Sequence, residues 1–127
     1  MNESTLLLLL VMAAVVVGSI LLKQLMSISP AKARELIQAG AVVVDVRSVP
    51  EFRSESIPGV VNVPLDEVES RIEAVAPDKT KPVLLHCKSG GRSAMATSIL
   101  KRKGYTQVHN LGSFSRARQI VSEAKGK

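Results

Sequence analysis

A short strand, a glycine-rich loop and a helix follow one another in the second half of the chain, and this unit constrains the fold most. Residues 83–85 form an apolar run that begins after Pro82, and such runs are typical of buried strands. The loop contains Ser89-Gly90-Gly91, whose glycines allow a sharp turn and leave backbone N–H groups uncovered. Apolar residues at helical spacing then extend to Lys103, and Gly104 is a typical helix stop.

The only cysteine of the chain, Cys87, lies at the end of this strand and faces the start of the helix. A free cysteine has a pKa of about 8.5, and a helix N-terminus or a nearby cation lowers it. Lys88 and Arg92 add positive charge, and several loop amides can point at one sulfur atom. The pattern therefore predicts a stabilised thiolate that can also hold an anion. A packing cysteine is the alternative, but it does not require a basic, glycine-rich loop.

Four motifs in order resemble the rhodanese domains. The stretch HCKSGGRS resembles the active-site loop of that family, which has the form Cys-x-x-Gly-x-Arg. The other three are GAVVVDVR followed by Glu51-Phe52, then IPGVVNVPL, and finally Gly104-Tyr105 with VHNLG. The resemblance covers residues 27–114. Within the family, the chain is similar to the small single-domain bacterial sulfurtransferases of the phage-shock type.

The resemblance implies a sulfurtransferase that carries sulfane sulfur as a persulfide on Cys87. The donor would be thiosulfate or another persulfide, and a thiol or cyanide would accept the sulfur. We expect Cys87 to be catalytic and the loop to bind the substrate, with Asp45 and Arg47 supporting the site by tying down the next loop. The expected substrate-binding residues are Lys88, Ser89, Gly90, Gly91, Arg92 and Ser93. No cofactor and no metal is implied.

Two other functions stay open. Cysteine phosphatases and arsenate reductases surround a tetrahedral oxyanion with a Cys-x5-Arg loop, whereas Cys87 and Arg92 are spaced as Cys-x4-Arg. The smaller ring suits a single sulfur atom. A non-catalytic rhodanese module that binds a protein partner at the membrane is the second alternative, although such modules commonly lack the cysteine.

His86 precedes Cys87 in the strand, so its side chain points to the opposite face, and we expect it to hold neighbouring loops by hydrogen bonds.

Strands and helices alternate along the chain after residue 27. Residues 41–46 are a β-branched run, which indicates a strand buried on both faces, and Ser29 followed by Pro30 predicts the start of a helix. The alternation predicts an α/β domain with a central, mainly parallel sheet and helices on both faces. The cysteine loop then lies at the carboxyl ends of the strands, where such sheets bind ligands. Further strands are predicted over residues 60–63 and 107–109, and further helices over residues 66–74, 93–103 and 113–124.

The first 26 residues are expected to form one transmembrane helix. Residues 5–22 are 18 residues that are largely apolar, about 27 Å as a helix, and Lys23 can snorkel while Leu25 and Met26 extend the span. A secretory signal peptide is the alternative, but residues 1–5 contain no Lys or Arg. We therefore divide the chain into a membrane anchor (or signal peptide), residues 1–26, and a rhodanese-like domain, residues 27–127.

The charge of the chain favours anionic partners. The net charge is +6, but aromatic residues are only 2% and no nucleic-acid motif is present, so we expect no nucleic acid. The basic segment of residues 116–125 is instead expected to contact anionic membrane lipid. Lys23, Lys32 and Arg34 follow the apolar segment, and this bias predicts a cytoplasmic domain. A periplasmic or exported domain is the alternative, which the similar family members favour.

Overall fold

One parallel sheet forms the centre of the domain. The structure is a computed structural model that describes residues 1–126, apart from the side chains of residues 23–26. Its strands are β1 (Val42–Asp45), β2 (Val61–Asn62), β3 (Val83–His86) and β4 (Val108–Gly112). They lie in the order β2-β1-β3-β4, and each neighbouring pair is parallel. The predicted parallel α/β architecture is confirmed, and the carboxyl ends of the strands meet at one edge of the sheet.

Helices follow most of the strands, as the alternation predicts. They are α1 (Glu3–Met26), α2 (Pro30–Gln38), α3 (Val49–Ser54), α4 (Val68–Val75), α5 (Gly91–Arg102) and α6 (Phe114–Lys125), with a 3₁₀ turn over Leu65–Glu67. Ser29 caps α2, because its side chain accepts a hydrogen bond from the Lys32 N–H at 3.3 Å. The segment between α1 and α2, residues 27–29, is called the tether below.

Apolar side chains pack on both faces of the sheet. Because successive strand residues point to opposite faces, Leu84 and Leu85 enter different clusters. Leu85 packs in one cluster with Ile72 of α4 and Leu100 of α5, whereas Leu84 packs in the other with Ile120 of α6 and residues of α2. All five leucine and isoleucine side chains are buried, and each contributes roughly 1.5–3 kcal/mol to stability. The expected helices on both faces are confirmed.

Two elements differ from the sequence prediction. Helix α3 was not predicted, because it has only six residues and no helical apolar repeat. It begins at a capping box in which the Ser48 side chain and the Glu51 side chain bind each other's backbone N–H. Strand β4 extends past the predicted residue 109 to Gly112, whose φ of +97° ends the strand. Both differences lie beside the cysteine loop.

The long apolar helix α1 is a candidate membrane span. Residues Glu3–Leu22 are long and apolar enough to cross a bilayer, and no side chain of this stretch is buried in the protein. The helix is compatible with an anchor and with a signal peptide. The predicted snorkelling of Lys23, and the extension by Leu25 and Met26, concern side chains outside the described residues and stay predictions.

The tether is fixed to the edge of the sheet. The Ile28 N–H donates to the Asn110 carbonyl oxygen at 3.0 Å. The Arg116 guanidinium donates to the carbonyl oxygen of Leu111 at 2.6 Å and also to that of Ile28. These hydrogen bonds hold the first residues after α1 against the end of β4.

The basic side chains of α6 bind partners in the protein. Arg116 binds backbone carbonyls as just described, Arg118 pairs with Glu55, and the Lys125 ammonium donates to the Pro58 carbonyl oxygen at 3.0 Å. These three side chains therefore already bind groups within the protein, and contact of this helix with anionic lipid stays a prediction.

Candidate active site

The Cys87 sulfur lies in a cradle of hydrogen-bond donors at the start of α5. The residue directly follows β3, and its side chain is wholly buried. The Gly90 N–H lies 3.0 Å from Sγ, and the Ser93 N–H and hydroxyl oxygen both lie 3.4 Å from it. Gly90 takes a φ of +101°, a conformation that favours glycine, and this turn aims the loop amides at the sulfur. The predicted placement at a helix N-terminus is confirmed.

The cradle changes the acidity of the thiol. Burial alone raises the pKa of Cys87, but hydrogen bonds from the Ser93 hydroxyl and N–H, and from the N–H groups of Gly90 and Ser89, outweigh burial. The pKa of Cys87 is therefore lowered from its ordinary value, as the sequence predicts. A larger fraction of this thiol is ionised at neutral pH, and the thiolate is the nucleophilic form.

Behind the cradle lies a buried amide, Asn110. Its Oδ1 accepts hydrogen bonds from the Ser93 hydroxyl at 2.7 Å and from the Gly112 N–H at 2.9 Å. Its Nδ2 lies 3.3 Å from the Gly90 carbonyl oxygen. Asn110 was not among the predicted site residues, and its position within the motif VHNLG was the only sequence signal that marked it.

The two basic residues of the loop have different surroundings. Arg92 forms a bidentate pair with Glu51 of α3, with N–O distances of 2.6 and 3.0 Å. The Arg92 hydrogen bond is the main cause that lowers the pKa of Glu51 to about 2. Lys88 is exposed, as are Ser89 and Gly91. Arg92 therefore joins the loop to α3, and the expected attraction of a donor by Lys88 and Arg92 stays a prediction.

Asp45 and Arg47 form a buried ion pair at the end of β1. The Asp45 carboxylate accepts from Arg47 Nε at 3.1 and 3.0 Å, from Nη2 at 2.7 Å and from the Arg47 backbone N–H at 2.8 Å. Arg47 Nη2 also donates to the Glu55 carbonyl oxygen at 2.6 Å. The pair thus ties the end of β1 to the end of α3, which is the loop contact expected from the sequence. A role of the pair in sulfur chemistry stays a prediction.

His86 is directed away from the sulfur. Its Nδ1 lies 3.3 Å from the Cys87 carbonyl oxygen, its Nε2 lies 3.7 Å from Asp45 Oδ2, and its ring contacts Phe114. Burial lowers the pKa of His86, although the charge of Asp45 opposes this effect. Nε2 makes no hydrogen bond within the described residues, so the expected hydrogen bonds from His86 to neighbouring loops stay a prediction.

A cavity of about 690 Å³ lies between the tether and the cysteine loop. Its wall includes Ile28, Gly90, Asn110 and Arg116. An open depression of similar volume lies on the other side of the loop, beside Arg92. The loop is therefore bordered by concave surface on two sides, which gives room for molecules larger than a small inorganic anion.

Comparison with known proteins establishes the family. A family model of the rhodanese-like domain matches residues 29–117. The chain therefore belongs to the rhodanese-like domain family, and the resemblance seen in the sequence is confirmed.

Individual relatives agree with this assignment. Thiosulfate sulfurtransferase PspE of Escherichia coli is 41% identical over 69 residues, which are 54% of this chain and 66% of that protein. The match thus spans just under two thirds of that relative. Thiosulfate sulfurtransferase 18 of Arabidopsis thaliana is 31% identical over 102 residues, covering 71% of this chain and 75% of the plant protein. Among solved structures, the human single-domain sulfurtransferase TSTD1 superposes with a TM-score of 0.64 at 28% identity, over 74% of this chain and 96% of that chain.

Proposed function

We propose that this protein is a sulfurtransferase that carries sulfane sulfur as a persulfide on Cys87. The observation that carries the proposal is the cradle, in which a buried thiol accepts hydrogen bonds from the N–H groups of Gly90 and Ser93 at a helix N-terminus. Donors in this arrangement stabilise a thiolate and a persulfide anion alike. Family membership and the sulfurtransferase names of the relatives support the same activity.

The proposed reaction has two half-reactions. In the first, the Cys87 thiolate attacks the outer sulfur of thiosulfate, a sulfur–sulfur bond forms to Cys87, and the bond to the central sulfur breaks as sulfite leaves. In the second, an acceptor such as cyanide or a thiolate attacks the outer sulfur of the persulfide. The Cys87 thiolate then leaves and the cradle is restored. The lowered pKa of Cys87 favours both its attack and its departure.

The loop residues would contribute to substrate binding in different ways. Lys88 is exposed at the loop and would attract an anionic donor, while the loop from Ser89 to Ser93 would hold the transferred sulfur through its N–H groups. Arg92 is paired with Glu51, so its main contribution would be to fix the shape of the loop. Asp45 and Arg47 would support the site from the neighbouring strand end.

Mass spectrometry tests the proposed function directly. The purified full-length protein is incubated with thiosulfate, and the peptide that contains Cys87 is measured before and after addition of cyanide. We expect one added sulfur atom that cyanide removes as thiocyanate, and neither product from the Cys87→Ser variant. A parent protein that gains no sulfur, or that instead hydrolyses an aryl phosphate, would refute the proposal in favour of a binding module or a phosphatase.

We further propose that residues 1–26 anchor the domain, residues 27–127, in a membrane with the domain in the cytoplasm. The exposed apolar surface of α1 and the basic residues Lys32 and Arg34 that follow it support this orientation. A reporter that is active only in the periplasm, fused to the C-terminus in a bacterial host, is expected to be inactive. Strong reporter activity would contradict the orientation, and N-terminal sequencing would then separate a periplasmic anchor from a cleaved signal.

A further inference from the structure

The Ser93 hydroxyl has one proton and three acceptors within reach. Asn110 Oδ1 lies at 2.7 Å, the Gly90 carbonyl oxygen at 3.1 Å and the Cys87 sulfur at 3.4 Å. A hydroxyl donates one hydrogen bond and accepts through its lone pairs, and 2.7 Å is the typical length of a good O–H···O bond. While Cys87 is a neutral thiol, the proton is therefore directed at Asn110, and the Ser93 oxygen faces the sulfur with a lone pair.

The orientation of the Asn110 amide is fixed by its other partners. The Gly112 N–H needs an acceptor and lies 2.9 Å from Oδ1, while Nδ2 lies beside the Gly90 carbonyl oxygen. A flipped amide would place N–H against N–H and oxygen against oxygen, so only this orientation satisfies both Gly112 and Gly90. Asn110 is also only 6% exposed, and its backbone carbonyl binds the Ile28 N–H of the tether. Its Oδ1 thus keeps one hydrogen bond even when the Ser93 proton turns away.

We propose that Asn110 is a positioning residue that holds the Ser93 hydroxyl proton away from the sulfur while Cys87 is a neutral thiol and releases it when Cys87 becomes a thiolate or a persulfide. The inference rests on the proposed function, because it assigns Asn110 a role in the step that forms the persulfide. Turning the proton from Asn110 to the sulfur gives up one hydrogen bond for another, so the thiolate and the persulfide each gain less stabilisation than the full Ser93 bond would give. Asn110 thus limits how far Ser93 stabilises the nucleophile.

Separate measurement of the two half-reactions tests this role. In Asn110→Ala the Ser93 proton has lost its nearest acceptor, and only the Gly90 carbonyl oxygen at 3.1 Å still competes with the sulfur for it. We expect persulfide formation from thiosulfate to become about fivefold faster at neutral pH, because the thiolate gains most of the Ser93 hydrogen bond. Sulfur release to cyanide should change by less than about twofold, because the persulfide and the departing thiolate gain this bond alike. In Asn110→Asp a carboxylate holds the proton more firmly, so we expect about fivefold slower formation.

The controls separate positioning from a loss of structure. Thr97→Val removes a buried hydroxyl one turn further along α5, which donates to the Ser93 carbonyl oxygen at 2.8 Å, and it should leave both half-reactions unchanged. If Asn110→Ala does not fold, the rate of persulfide formation in Asn110→Asp alone tests the inference. Formation that does not become faster in folded Asn110→Ala, or does not become slower in Asn110→Asp, would overturn the inference, and so would slower release in either folded variant. Absence of any persulfide on Cys87 in the parent protein would refute the proposed function instead.

Discussion

Replacement of Arg47 by Met should destabilise the domain strongly, because it leaves a buried carboxylate without its partner. Asp45 is wholly buried, Arg47 is only 6% exposed, and the pair is joined by side-chain bonds as short as 2.7 Å. Breaking a buried pair by removing one partner costs roughly 3–5 kcal/mol. The whole stability of a domain is about 5–15 kcal/mol, and for about 100 residues each kcal/mol corresponds to about 4–8 °C in Tm. We therefore expect the Tm to fall by at least about 12 °C.

Thermal unfolding of the full chain in detergent micelles, followed by circular dichroism, measures this loss. Arg53→Met is a matched control, because Arg53 is an exposed arginine in the last turn of α3. Surface substitutions of this kind usually change the free energy of unfolding by less than about 0.5 kcal/mol. The control should therefore unfold within about 4 °C of the parent protein.

A double variant tests the electrostatic reason for the loss. Asn at position 45 keeps an oxygen for the Arg47 backbone N–H, which lies 2.8 Å from Asp45 Oδ1, but it carries no charge. Asp45→Asn combined with Arg47→Met should recover about 2 kcal/mol of the loss in the single variant, since no unpaired charge stays buried. The reasoning is refuted if Arg47→Met costs less than about 1 kcal/mol, or if the double variant unfolds at no higher temperature than Arg47→Met alone.

Three further predictions concern other contacts of the domain. The pKa of Glu51 lies at about 2, below its ordinary value of 4.5, so the pair with Arg92 stabilises the fold above pH 4.5 and loses this effect as the pH falls towards 2. In urea unfolding at neutral pH, Glu51→Gln should therefore lower the free energy of unfolding by at most about 1 kcal/mol. If the variant loses as much free energy of unfolding at pH 2 as at neutral pH, the ion pair is not the cause. The Tyr105 hydroxyl donates to the buried Ala76 carbonyl oxygen at 2.6 Å, and Tyr105→Phe should cost about 1–3 kcal/mol in urea unfolding; an unchanged midpoint would show that the bond contributes little. In steady-state assays, Lys88→Ala should raise the KM for thiosulfate more than the KM for a neutral persulfide donor. This difference between the two donors should disappear at about 1 M salt, because charges are then screened beyond about 3 Å. Equal changes for both donors would exclude attraction by the Lys88 charge.

The sequence predicts local parts of the fold and site far better than contacts between distant residues. The unit of β3, its loop and α5 is marked by an apolar run, by glycines and by a stop residue, all within a short stretch. The pair of Arg92 with Glu51 joins residues 41 positions apart, and the hydrogen bond from Ser93 to Asn110 joins residues 17 positions apart. Neither pair leaves a local pattern, because the contact exists only after the strands have aligned. Helix α3 escaped prediction although Ser48 and Glu51 have the spacing of a capping box, since six residues are too few to show a helical repeat.

The tether has a consequence for how the protein would meet its partners. Ile28 is bound to Asn110 and Arg116 only two residues after the end of α1 at Met26, and two residues span at most about 7 Å. When α1 lies in a bilayer, the cysteine loop is confined to a thin layer next to the lipid surface and cannot search the surrounding volume. An acceptor protein held in the same membrane then moves in the same layer, so the two proteins meet at a higher effective concentration than they would in free solution. A soluble acceptor has no such advantage, and sulfur would therefore pass preferentially along the membrane surface.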